Sequence, residues 1–327
     1  MFFFGVAMSS FFDSLRDSRE AISERSRIDQ VFVIFWLIGP FFLLIERTPG
    51  DAWITVLALS FMVRAFFTRD FSFFKWFWVK AAFLFWAVCL LSALMSSHPI
   101  YAFGEAFAWV RFPLFAMACV FWLGTDKRIL ITMLYFVALA FLLMCCILTA
   151  EIIVEGFKAR LSWPYGDLVS GNFLAKAGLP AITTAAALAV TLSGKRANAA
   201  LFFVAVGLFF VFLTGERINS LILLCGALLS ALIVAKNWRQ FFKFGCFGLI
   251  AVAVVFLLNR DAIRRYGSYF IEQLPLGDHS SYYNTMAPAL VAFKQNPLLG
   301  VGSATLREAC PNLVGLQPNM ECDNHPH

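Results

Sequence analysis

The residues able to do chemistry in this chain gather towards its second half. Its four histidines are His98, His279, His325 and His327. An imidazole titrates near neutral pH and is the commonest general base. Arg217 follows Glu216 directly, and Arg264 and Arg265 form a second pair. Guanidinium is a planar fork of donors suited to bidentate contact with phosphate. Arg217 allows two readings: an ion pair with Glu216 or another carboxylate, or a contact to an anionic ligand. Arg264 and Arg265 allow interfacial snorkelling or the same anion. Cys310 and Cys322 stand apart from the other six cysteines, which sit in apolar runs as small packers. An oxidising compartment would join the two in a disulfide. The rival is a metal site from Cys310, Cys322, His325 and His327, whose spacing matches no zinc signature.

What must position these groups is a membrane bundle. Of the 327 residues, 61% are hydrophobic and 14% charged. A soluble domain carries about 45–50% apolar and about 25% charged residues, so the soluble class is excluded. Thirty-nine Phe and nine Trp exclude disorder. The apolar stretches are continuous rather than alternating, which excludes an outer-membrane barrel. Nine runs approach the length of a span: 31–45, 52–68, 78–96, 105–123, 129–152, 174–193, 198–214, 217–235 and 242–258. Backbone groups in lipid need internal partners, so each run is predicted to be a helix. The first holds Gly39-Pro40, which predicts a kink. The fold class expected is an all-α polytopic membrane protein of about nine transmembrane helices with a helical external loop.

Orientation follows from the loops. Lys and Arg crowd the amino-terminal segment and every second loop, with Arg69, Lys75, Lys127, Arg128, Lys195, Arg196, Lys236 and Arg239, while the loop 97–104 has neither. The positive-inside rule then puts the amino terminus in the cytoplasm and residues 259–327 outside. Three parts are expected: a cytoplasmic segment 1–30, a bundle 31–258 and a periplasmic loop 259–327. The charged stretch Phe11 to Asp29 reads as a solvated helix, and Tyr283 to Lys294 as an amphipathic one. Of the charges within or beside runs, Glu105, Arg111, Glu151 and Glu155 join Glu216 and Arg217 towards the outer leaflet. Ionisable groups at that depth are functional candidates. Cationic side chains and histidines facing outward at one leaflet point to a phosphate-bearing lipid head group. A transporter would need such groups through the whole depth and paired broken helices at the midplane, and neither is expected. A non-catalytic membrane scaffold is the other rival, and no nucleic-acid partner is expected.

Four strings carry a resemblance. They are Thr214-Gly215-Glu216-Arg217 at a turn, Asn296-Pro297-Leu298-Leu299-Gly300-Val301-Gly302 after an external helix, and His325-Pro326-His327. The fourth is Arg160-Leu161-Ser162 with Tyr165-Gly166-Asp167 and Gly171-Asn172-Phe173-Leu174-Ala175-Lys176. In this order the chain resembles the superfamily of O-antigen ligases and O-antigen polymerases, over roughly residues 31–327. The resemblance implies a bacterial inner-membrane glycosyltransferase that moves a glycan from undecaprenyl pyrophosphate to an acceptor hydroxyl. Ligases use lipid A–core as acceptor, and polymerases another lipid-linked repeat unit. It implies no cofactor and no metal. It places His327 as general base and Arg217 and Arg265 on the pyrophosphate, with Arg264, His325, Arg160 and Tyr282 as further substrate contacts. Many members have arginine where Tyr282 stands, so His279 or Arg265 would serve instead. Family chains continue past the histidine with Asn, a short helix and further spans, so this sequence, ending at His327, is expected to be a truncated member.

Overall fold

A computed structural model describes residues 2–45, 47–157, 161–164, 169–235, 238–258, 266–267, 280–313, 315 and 322. The expected helical membrane architecture is present, and these residues include no strand. Eight described helices are long and apolar enough to cross a membrane, or nine if one bent pair forms a single span. The chain divides into two compact units, Met1–Trp53 with Thr125–Tyr269, and Ile54–Gly124 with Phe270–His327.

The first unit begins with α1 (Phe2–Ser23) and continues through α2 (Arg27–Leu37) and α3 (Gly39–Ile45). The α2–α3 pair bends by 42° at the predicted Gly39-Pro40 position. Gly39 is needed there because a Cβ would run into the Trp53 indole, whose Nε1–H donates to the Phe35 carbonyl at 3.0 Å. The unit resumes with α8 (Lys127–Glu155), α9 (Val169–Thr191), α10 (Gly194–Leu213), α11 (Arg217–Val234) and α12 (Trp238–Leu258). Helix α9 is the hub, packed against α8, α10, α11 and α12. Among its buried residues Ala177, Ala181, Ala185 and Ala186 are small, beside the larger Phe173, Leu174, Ile182 and Val190. Lipid gives no hydrophobic drive for helices to associate, so close backbone approach through small residues holds them. Phe141 of α8, fully buried, fills the slot left by two glycines. A Cβ on Gly178 would lie 2.8 Å from its ring, and one on Gly207 3.2 Å. Ser230 Oγ of α11 donates to the Thr183 carbonyl of α9 at 2.8 Å.

Helix α8 starts on a cap. The Asp126 carboxylate accepts from the Arg128 N–H at 2.8 Å and from its guanidinium at 2.9 Å. Near this end α8 packs against α1. Ser14 Oγ lies 2.8 Å from Thr132 Oγ1, and Phe11 stacks edge-on against Tyr135 at 5.6 Å. Ser14, Ser18 and Ala21 are buried. The stretch Phe11 to Asp29 is therefore not solvated all round, as its charge density suggests. One face is spent on α8, because its serines and alanine recur at helical spacing among the charges.

The second unit holds most of α4 (Arg47–Thr68), then α5 (Phe77–Leu94), α6 (Pro99–Ala108) and α7 (Arg111–Ala118). A π turn follows over Cys119–Leu123, closed by Gly124 N–H on the Cys119 carbonyl at 2.8 Å. The run predicted as one helix over 105–123 is thus interrupted at Trp109-Val110 and again at the π turn, yet Pro99–Leu123 together still has the length and hydropathy of one span. Pro113 supplies no N–H, which eases the separation from α6. Helix α13 (Ser281–Gln295) covers the predicted amphipathic stretch and starts at the Ser280 cap. The four-residue α14 (Leu306–Ala309) follows.

Candidate functional site

The site is built around the turn joining α10 to α11. Thr214 closes α10, its Oγ1–H donating to the Val211 carbonyl at 2.7 Å. Gly215 takes φ +69, a left-handed conformation that glycine adopts without steric cost. Glu216 is the N-cap residue of α11, and Arg217 is its first helical residue. A cation at a helix N-terminus opposes the helix dipole, while an anion there is favoured by it. The amide end of α11 therefore favours negative charge, and Arg217 adds a cation at the same turn. Its Nη1 is shielded from solvent within the protein.

Two further segments are tied to this turn. The first follows α8. Glu151, in the last turns of that helix, is fully buried. Its two carboxylate oxygens accept from the Ser162 N–H at 3.0 Å each, and one also accepts from the Trp163 N–H at 2.9 Å. Ser162 Oγ adds a longer contact at 3.4 Å. Trp163 Nε1–H reaches Glu155 at 3.2 Å. Leu161, also fully buried, donates its N–H to the Leu213 carbonyl at 3.2 Å. That bond fixes the segment to the C-terminal end of α10, one residue before the turn.

The second segment is Tyr266, beyond α12. Its hydroxyl lies 2.8 Å from Ser220 Oγ and donates to the Phe212 carbonyl at 3.1 Å. Its ring packs on Phe212 at 5.2 Å and on Phe256 at 5.9 Å between centroids. Ser220 in turn bonds the Glu216 carbonyl through its N–H at 2.9 Å. Tyr266 thus holds both sides of the turn, α10 through Phe212 and α11 through Ser220.

In the second unit, the string from Asn296 to Gly302 forms a tight reversal after α13. Gly300 N–H bonds the Asn296 carbonyl at 2.9 Å. Gly300 and Gly302 take φ +66 and +103. The reversal rests on the end of α5: Ser92 Oγ donates to the Leu299 carbonyl, and a Cβ on Gly302 would collide with the Ser96 side chain. Thr305, fully buried, bonds the Val301 carbonyl through its hydroxyl at 2.6 Å. This string is therefore architectural, with glycines where the backbone needs them. Beyond α14, Cys310 and Cys322 are joined in a disulfide with Cα atoms 6.1 Å apart. A disulfide here leaves neither thiolate for a metal. Among the described residues no cluster of three or more His, Cys, Asp or Glu is placed to hold a metal ion.

Of the residues predicted for the site, Arg217 is described and stands at the turn. Arg160, Arg264, Arg265, His279, His325 and His327 lie outside the described residues. Tyr282 falls in α13, and its side chain is outside them. His98 is exposed at the start of α6, and Glu105 is exposed within it. Arg111 begins α7, its guanidinium 5.0 Å from the Phe112 ring centroid. Sequence reasoning missed the roles of Glu151, Ser220 and Tyr266. A carboxylate ending an apolar run was the signal for Glu151, but its partners are backbone N–H groups, which leave no trace in side-chain spacing.

Residues 201–327 match the model of a protein family described as O-antigen ligase. No curated protein and no solved structure matches the chain. The matched stretch holds the Thr214–Arg217 turn, the Asn296–Gly302 reversal and the disulfide, and over these residues this multi-pass membrane chain is similar to the O-antigen ligase family.

Proposed function

We propose that the protein transfers a glycan from undecaprenyl pyrophosphate to the hydroxyl of lipid A–core, at the periplasmic face of the bacterial inner membrane. The observation that carries this reading is Arg217, shielded at the N-terminus of α11 on a turn braced from two sides. A guanidinium so placed suits a diphosphate. The amino terminus is cytoplasmic on the loop charges, which puts the turn and residues 259–327 outside, beyond the bundle 31–258.

The reaction is a displacement at the anomeric carbon. The acceptor oxygen forms a new bond to that carbon, while the bond to the pyrophosphate oxygen breaks and its electron pair leaves with undecaprenyl pyrophosphate. Attack from the opposite face inverts the configuration. His327 takes the acceptor proton, a role worth about 10²–10⁴-fold. Arg217 and Arg265 stabilise the charge growing on the leaving group, and no metal is required. Arg264, Arg160, His325 and Tyr282 complete the contacts to donor and acceptor.

The test replaces Arg217 and His327 separately by Ala and follows transfer of an undecaprenyl-pyrophosphate-linked glycan in membranes, with EDTA in a parallel arm. Both variants should lose at least about a hundredfold in rate, and EDTA should change nothing. A wild-type rate in either variant would dismiss the mechanism. Offering lipid A–core and a lipid-linked repeat unit side by side separates ligase from polymerase.

A further inference from the structure

We propose that Glu151 is a positioning residue for the donor site. It clamps the Leu161–Trp163 segment so that this segment stays bound to the turn that carries Arg217. The inference rests on the function proposed above and adds a residue to which that reading gives no role.

Three observations carry it. Glu151 is fully buried, yet it sits at the end of an apolar helix where a carboxylate is expensive. Its bonds go to the consecutive N–H groups of Ser162 and Trp163, both within 3.0 Å, and to the Ser162 hydroxyl. The clamped segment is then joined to α10 by the Leu161 N–H on the Leu213 carbonyl at 3.2 Å. A segment between two helices needs neither bond merely to connect them. Glu155 holding the Trp163 indole from the same helix end adds a second restraint on the same residue. The arrangement converts one buried carboxylate into a fixed register between the segment after α8 and the α10–α11 turn.

Substitution separates positioning from bulk stability. Glutamine keeps one acceptor oxygen and presents an amide N–H₂ where the second stood, so Glu151→Gln loosens the clamp. Alanine removes it. In the full chain in membranes, Glu151→Ala should raise amide exchange at Ser162 and Trp163 at least about tenfold, with α10 amides unchanged, since both N–H groups lose their acceptors. Glu151→Gln should raise the KM for the undecaprenyl-pyrophosphate-linked donor about tenfold or more, with kcat within about threefold. A role in folding alone would lower protein yield and leave the donor KM of the folded fraction unchanged. Unchanged exchange in Glu151→Ala overturns the clamp. Unchanged donor KM in Glu151→Gln, with Arg217→Ala impaired, overturns the positioning role alone. Full activity in Arg217→Ala overturns the proposed function and this inference with it.

Discussion

Replacing Tyr266 by Phe removes one oxygen and tests whether the α10–α11 turn is braced as described. The hydroxyl donates to the Phe212 carbonyl at 3.1 Å and accepts from Ser220 Oγ at 2.8 Å. Neither partner is stranded by the change. The Phe212 carbonyl keeps the Gly215 N–H at 3.2 Å, and the Ser220 hydroxyl can turn to the Glu216 carbonyl at 2.8 Å. Two neutral hydrogen bonds at about 0.5–1.5 kcal/mol each, with both partners re-satisfied, set the loss at about 1–2 kcal/mol. Tyr266→Ala also discards the ring contacts with Phe212 and Phe256, at about 0.5–1.5 kcal/mol each, and should cost about 3–4 kcal/mol with the cavity included. Thermal unfolding in detergent is the assay, with shifts of about 2–5 °C for Phe and about twice that for Ala. Ser220→Ala closes a double-mutant cycle, whose coupling with Tyr266→Phe should be about 1 kcal/mol. Additive effects, or a Phe variant as stable as wild type with Ala no worse, would refute the brace.

Other expectations concern the remaining elements. Cys310→Ser, or reduction of wild type, should destabilise the segment by about 3 kcal/mol through the short loop it opens, and thiol labelling under non-reducing conditions should find neither cysteine free. Gly302→Ala forces a non-glycine residue to φ +103 and into Ser96, costing at least about 1–3 kcal/mol by denaturation. Asp126 is held below its ordinary 3.8, first by the Arg128 side-chain hydrogen bond. Its contribution to stability is therefore present above 3.8 and fades as pH falls through the lowered folded value. The stability gap between wild type and Asp126→Asn should close on acidification across that window, and a gap that widens there would contradict the cap.

The bundle was legible because a span announces itself by composition. Runs of some twenty apolar residues leave few alternatives in lipid, and Gly39-Pro40 marks the first bend within its run. The break at Trp109-Val110 was hidden because apolar residues continue through it, with Pro113 the only hint. The Thr214–Arg217 turn was legible from a glycine beside a charge between two apolar runs. Its braces were not. Leu161 contributes a backbone N–H, and the carboxylate of Glu151 answers two more, so residue type carries no record of the pairing. Tyr266 stands fifty-four residues from Phe212, and no local period links them.

The docking of α1 on α8 sets a timetable for synthesis. Ser14 and Thr132 are 118 positions apart, so at about 5–20 residues per second a ribosome needs roughly 6 to 24 seconds to make the second after the first. Over that interval the serine face of α1 waits at the translocon or in water while the intervening chain is threaded into the bilayer. Helix α1, made well before α8, is thus obliged to settle late, and a chain missing it would insert α8 with the Thr132 hydroxyl deprived of its Ser14 partner.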